Sequence, residues 1–152
     1  MRRWIICGAA AVLLMISPAR GMDISQLSPV QTVWVAVENG QVYLQTDRGE
    51  WGSGTDIASA LENLNETAAG VVFLETADYL ILQKGEEALL EQAPTIFRPS
   101  CMVCVADEMP DLEQATAFLR LHEPAITLRQ WSVEGNLLQQ LTGSDGRFAW
   151  DE

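Results

Sequence analysis

Val33-Trp34-Val35-Ala36-Val37-Glu38-Asn39-Gly40-Gln41-Val42-Tyr43-Leu44-Gln45-Thr46 is the stretch that decides the fold. Two runs of β-branched and aromatic residues flank Asn39-Gly40, the dipeptide that accepts the positive φ angles of a type I′ turn, so the stretch reads as a two-residue β-hairpin. Pairing Glu38 with Gln41 sets Val37 opposite Val42 and Val35 opposite Leu44 on one buried face. Trp34, Ala36 and Tyr43 take the other face, because side chains alternate along a strand.

Downstream, Arg48 to Gly54 reads as a flexible turn. Ser53 or Thr55 is placed to cap a helix in which Ile57, Ala60, Leu61, Leu64 and Ala68 recur at helical spacing, with Gly70 as its stop. Val71 to Leu82 is rich in strand formers but interrupted at Glu75-Thr76-Ala77-Asp78, consistent with one long strand or two short ones. Gly85 to Gln92 reads as a short helix with acids in its first turn, where the helix dipole favours them. Thr95 to Ala106 reads as strand. Pro110 opens a helix carrying Leu112, Ala115, Phe118 and Leu119, which Pro124 stops. Ala125 to Val133 and Leu137 to Leu141 read as a second hairpin around Glu134-Gly135-Asn136, followed by a turn at Ser144-Asp145-Gly146 and a last strand, Arg147 to Trp150. Strands and helices alternate through the centre. The expected fold is therefore α/β, with α+β as the alternative: a single mixed β-sheet covered by about three helices, with a β-hairpin at each end of the domain.

The first 21 residues read as an export signal. Arg2-Arg3 forms a basic start, Trp4 to Ile16 is apolar, and small residues at Ala19 and Gly21 suit cleavage after Gly21. The apolar run is short of the about 20 residues that a membrane span needs. Cys7 lacks the small preceding residue of a lipoprotein signal. The expected organisation is 1–21 signal peptide, 22–32 lead-in segment and 33–152 a single exported domain, located outside the cytoplasm, either secreted or associated with the cell or spore envelope. The chain has 9 basic and 21 acidic residues. Three of the arginines leave with the signal, so the mature protein is more acidic still. That balance excludes nucleic acid and direct binding to anionic lipid as partners, both of which require clustered Lys and Arg. No EF-hand loop and no Walker A sequence is present.

Cys101-Met102-Val103-Cys104 has C-x-x-C spacing in an exported chain, which raises a disulfide or thiol pair. Its neighbours Val103, Val105 and Ala106 favour a buried strand, where residues three apart point to opposite faces with α-carbons about 10 Å apart. Bridging needs less than about 7 Å. Buried structural thiols are the favoured reading, with a local disulfide or redox catalysis as alternatives. His122 is the one histidine, and with no serine or cysteine partner it reads as structural. Glu75 and Asp78 lack the apolar surroundings that would split two carboxyl pKa values, and read as solvated. Asn65-Glu66-Thr67 matches a glycosylation sequon on a helix. No catalytic, cofactor-binding or metal-binding residue is expected, and no cofactor. Trp34, Tyr43, Trp131 and Trp150 are the candidate interaction aromatics.

Ser59-Ala60-Leu61-Glu62-Asn63-Leu64, Val71-Val72-Phe73-Leu74, Tyr79-Leu80-Ile81-Leu82, Gly85-Glu86-Glu87-Ala88 and Arg98-Pro99-Ser100 leading to Val103-Cys104-Val105-Ala106 follow one another in the order helix, strand, short acidic helix, strand. This outline, over residues 53 to 120, resembles the N-terminal domain of the Ger(x)C spore germination proteins. The resemblance implies a small exported domain that acts through protein contacts, in sporulation or spore germination. It carries over no catalytic residue. The expected function is thus a non-enzymatic binding or scaffolding domain with a protein partner. An exported thiol-disulfide protein acting through Cys101 and Cys104 is the alternative.

Overall fold

The computed structural model describes residues 28–144 and 146–151, with Ser28 and Ser144 described for backbone only. The expected signal segment, Cys7 and residues 22–27 of the lead-in lie outside the described residues. No described helix is long and apolar enough to cross a membrane.

Nine strands and three α-helices occur among the described residues. The strands are β1 (Ser28–Pro29), β2 (Thr32–Glu38), β3 (Gln41–Thr46), β4 (Trp51–Gly54), β5 (Val72–Phe73), β6 (Tyr79–Gln83), β7 (Met102–Ala106), β8 (Gln140–Ser144) and β9 (Arg147–Asp151). The helices are α1 (Ile57–Thr67), α2 (Leu112–Leu121) and α3 (Leu128–Glu134). Seven strands form one mixed sheet in the order β4-β3-β2-β6-β7-β8-β9, and β1 pairs separately with β5. The centre, β2-β6-β7-β8, is parallel. Each flank is an antiparallel hairpin, so the expected mixed sheet with a hairpin at each end is the observed one.

The β2-β3 register is the one that the Asn-Gly turn dictates. Glu38 pairs with Gln41, Val37 with Val42 and Val35 with Leu44. Asn39 and Gly40 adopt φ of 52° and 78°. Alternation then divides the apolar side chains between two cores. Val33, Val35, Leu44, Leu80, Leu82, Val103 and Val105 face α1, a run of 3-10 turns between Glu87 and Thr95, and α3. Trp34, Ala36, Tyr79, Ile81, Cys104 and Ala106 face α2, which contributes Leu112, Ala115 and Leu119. The sheet is thus covered on both sides.

Several local expectations are corrected. Residues 125–133 do not form a strand. Thr127 and Gln130 make a reciprocal capping box and Gly135 closes the helix in the left-handed region, which gives α3. This T-x-x-Q signal with a following Glu-Gly outweighs the strand propensity of Ile126, Trp131 and Val133. The C-terminal hairpin is accordingly β8-β9, with Ser144 opposite Arg147. The segment 51–54 is an edge strand rather than part of a turn. The cap of α1 is Asp56, not Ser53 or Thr55, and the helix stops at Thr67, short of Gly70. Of the two alternatives for Val71 to Leu82, two short strands is the observed one, and they lie in different sheets. Only Met102–Ala106 of the expected strand from Thr95 is extended, and Gly85 to Gln92 contains a 3-10 turn instead of an α-helix. The lead-in joins the domain: Val30 is buried, and the buried Thr32 accepts a hydrogen bond from Thr116 Oγ1 at 2.6 Å.

Asp56 closes the N-terminus of α1 by accepting from Ser59 N–H at 2.7 Å and Ser59 Oγ at 2.8 Å. These bonds, the backbone one foremost, hold its carboxyl below the ordinary value. A depressed carboxyl pKa contributes stability that is complete above the unfolded value and is lost as pH falls through the folded one. Asp56→Ala is therefore expected to lower the thermal midpoint at neutral pH. Asp56→Asn should keep most of the cap and flatten the acid limb of a midpoint-versus-pH series. An Ala variant as stable as the parent would refute the cap's contribution.

Candidate functional site

The sequence-derived site residues do not converge. Trp34 is 5% exposed and sealed beneath α2. Tyr43 is half-buried on the same face, opposite Ala36. Trp131 packs from α3 onto the other core. Trp150 is half-buried, its ring centroid 5.8 Å from that of Phe118, which also approaches Phe148 at 5.9 Å and His122 at 4.7 Å. Trp34 and Tyr43, though candidate interaction aromatics, therefore form no free platform. The most exposed aromatic among the described residues is Trp51, at 59%, on β4. Sequence reading passed over it because residues 48–54 looked like a turn.

Cys101 and Cys104 are free and buried. They lie in opposite cores, Cys101 on the α1 side and Cys104 on the α2 side, as three-residue spacing on an extended chain requires. Burial pushes the Cys101 thiol up to about 12 and the Cys104 thiol higher still. A nucleophilic thiol needs the reverse shift. Neither cysteine is expected to react with a thiol reagent in the native protein at neutral pH, and both should react at once on unfolding. Because the unfolded thiols ionise near 9 and the folded ones do not, the unfolded chain binds fewer protons above that pH. Stability should therefore fall as pH rises beyond about 9. Rapid native modification would overturn this burial.

Asp78 is tied down by Arg98, whose Nε also donates to Ala77 O at 3.1 Å, while Glu75 stands exposed in a 3-10 turn. They are not a carboxylate pair. No group of three or more His, Cys, Asp or Glu side chains close enough to hold a metal occurs among the described residues.

Two places could meet another molecule. One is a cleft of about 430 Å³ beyond the carboxyl end of β7, lined by Asp107, Glu108, Met109, Asp111, Thr142 and Phe148 among others. Open α/β sheets bind ligands at this end of their strands. Here, however, Asp111 is engaged as the cap of α2, accepting from Gln114 N–H at 3.0 Å, and Asp107 accepts from Gln140 Nε2 at 2.7 Å. The acidic lining disfavours anionic ligands.

The other place is the outer edge of β9. Val105 N–H donates to Gln139 O at 3.0 Å, so residues 139 and 141 direct their backbone groups toward β7, and Gln140 and Thr142 direct theirs toward β9. Ser144 and Arg147 close the two-residue turn, which sets the same phase. Ala149 therefore bonds to β8, and Phe148 and Trp150 direct their N–H and C=O groups away from the sheet. Among the described residues these groups have no partner. At the opposite edge one outward group is blocked. On β4 the outward Ser53 N–H is taken by Asn63 Oδ1 of α1 at 3.1 Å. Natural sheets block edges with such caps, with Pro or with bulges, because an open edge templates pairing. β9 carries no Pro, and among the described residues nothing caps its outward groups. Its sequence signal, the alternation Arg147-Phe148-Ala149-Trp150-Asp151 after a turn, was visible as a strand but not as a sheet edge.

Comparison with family models, with curated proteins and with solved structures finds no match to this chain.

Proposed function

We propose that this protein is an exported, non-enzymatic binding domain that works by contact with protein in the cell or spore envelope. The observation that carries the reading is the edge of β9, whose two outward backbone positions have no partner among the described residues, whereas at the other edge the outward Ser53 N–H is taken by Asn63. Strand addition to such an edge uses main-chain hydrogen bonds for affinity and side-chain pattern for specificity. Export rests on the basic and apolar start of the sequence, and the link to sporulation or germination on the resemblance in residues 53 to 120. The thiol-disulfide alternative has against it two buried thiols held in separate cores.

The test follows the native protein through growth and sporulation by fractionation, with an antibody against residues 22 to 152. The reading expects a mature chain shortened by about 21 residues and recovered with the envelope. Recovery in the cytoplasm at full length would overturn export. Recovery only in the medium of growing cells would remove the sporulation link.

A further inference from the structure

From the edge of β9 we infer that the occupant is a second copy of this chain, paired antiparallel across a two-fold axis at Ala149. This rests on the protein-binding reading above. The strand reads Arg147-Phe148-Ala149-Trp150-Asp151, and its charges and aromatics are arranged symmetrically about the central alanine. When two copies meet antiparallel with Ala149 on the axis, Arg147 lies opposite Asp151 of the second copy, and Asp151 lies opposite its Arg147. Phe148 lies opposite Trp150 of the second copy, and these are the two positions whose N–H and C=O groups point outward. Each such pair exchanges both of its backbone hydrogen bonds.

Charge and hydrogen-bond phase thus select one register. A shift by one residue sets outward groups against Ala149, whose own groups are taken by β8. A shift by two residues places Arg147 or Asp151 opposite Ala149 and breaks both ion pairs. At the axis the two Ala149 residues form a non-hydrogen-bonded pair with α-carbons about 4.5 Å apart, where a methyl side chain fits. Arg147, Ala149 and Asp151 are exposed in the single chain, so they are free to form these contacts. The contact is isologous and closes at two copies. It makes the sheet continuous, with seven strands from each copy.

The test is sedimentation velocity on the full chain, in the form recovered from the cell, over a concentration series reaching about 1 mM. The parent should show a reversible monomer–dimer equilibrium. Ala149→Lys and Ala149→Glu each place like charges face to face at the axis, and each should weaken dimerisation at least about tenfold. Both must do so, since one raises and the other lowers the net charge of −12, which separates local repulsion from the overall acidity. Mixing the two variants should restore the dimer, because Lys then faces Glu. Their thermal midpoints at low concentration should match the parent's, the position being exposed. A monomer throughout the series, a dimer indifferent to both variants, or a mixture no stronger than either variant alone would overturn the self-pairing. If the monomer instead attaches to a different protein at β9, self-pairing fails and the protein-binding reading stands.

Discussion

Gly52→Ala is expected to destabilise the fold by about 3 kcal/mol, at the upper end of what overpacking costs. Gly52 sits on the face of β4 that meets α1. A Cβ at this position would lie 2.3 Å from Ala60 O, 2.6 Å from Leu64 N and 2.7 Å from Leu64 Cβ. Two of these three atoms are helix backbone, which cannot move aside without shifting the whole of α1. The neighbouring Gly54 has the same constraint, with Ala60 N at 2.5 Å. Residues i and i+2 of one strand share a face, so Gly-Ser-Gly lays down a strip without side chains on which the helix seats. Ser53, between them, points to the other face, and Ser53→Ala should change stability by less than about 0.5 kcal/mol. Urea titrations of the three proteins give the comparison, with equal slopes as the condition for reading the midpoints as stability. A Gly52→Ala protein as stable as the Ser53→Ala control would mean that α1 does not rest on β4 this closely.

Trp34→Ala is the second large effect, about 3 to 5 kcal/mol. Trp34 belongs to β2, the first strand of the parallel centre of the sheet, and is 5% exposed within the core formed by Ile81, Cys104, Ala115 and Leu119. Truncation leaves a large void between sheet and α2, and the two surfaces are held by neighbouring contacts that prevent full collapse. The same substitution distinguishes a core role from a surface role. A core tryptophan loses stability on truncation and leaves binding by the folded fraction intact, whereas a contact tryptophan loses binding and leaves stability intact. Tyr43→Ala, half-buried on β3 beside the parallel centre, should cost less. A Trp34→Ala protein with an unchanged urea midpoint would remove α2 from this face.

The parts of the fold that were legible in the sequence are those fixed by short-range chemistry. Asn39-Gly40 sets a turn, the turn sets a register, and alternation sorts Val35 and Leu44 from Trp34 and Tyr43 before any long-range contact is known. The apolar stripes of α1 and α2 were legible for the same reason. The errors arose where two local signals competed. In residues 125–133 strand-forming side chains masked a capping box between Thr127 and Gln130, and in 48–54 three glycines suggested freedom where two of them serve close packing. The candidate site was hardly legible at all. That β9 is an edge depends on strand order, and strand order is fixed by which distant strands pair. That no described side chain reaches the outward groups of Phe148 or Trp150, as Asn63 reaches the Ser53 N–H at the far edge, depends on tertiary placement as well.

The most direct measurement places a small diazirine side chain at position 149 and, as a control, at the exposed Glu66 of α1, and irradiates intact cells. Contact through β9 predicts a covalent adduct from position 149 in the envelope fraction and none from position 66, and self-pairing further predicts that the adduct has twice the mass of the chain. The absence of an adduct from position 149, or adducts from position 66 alone, would contradict a protein contact at this edge.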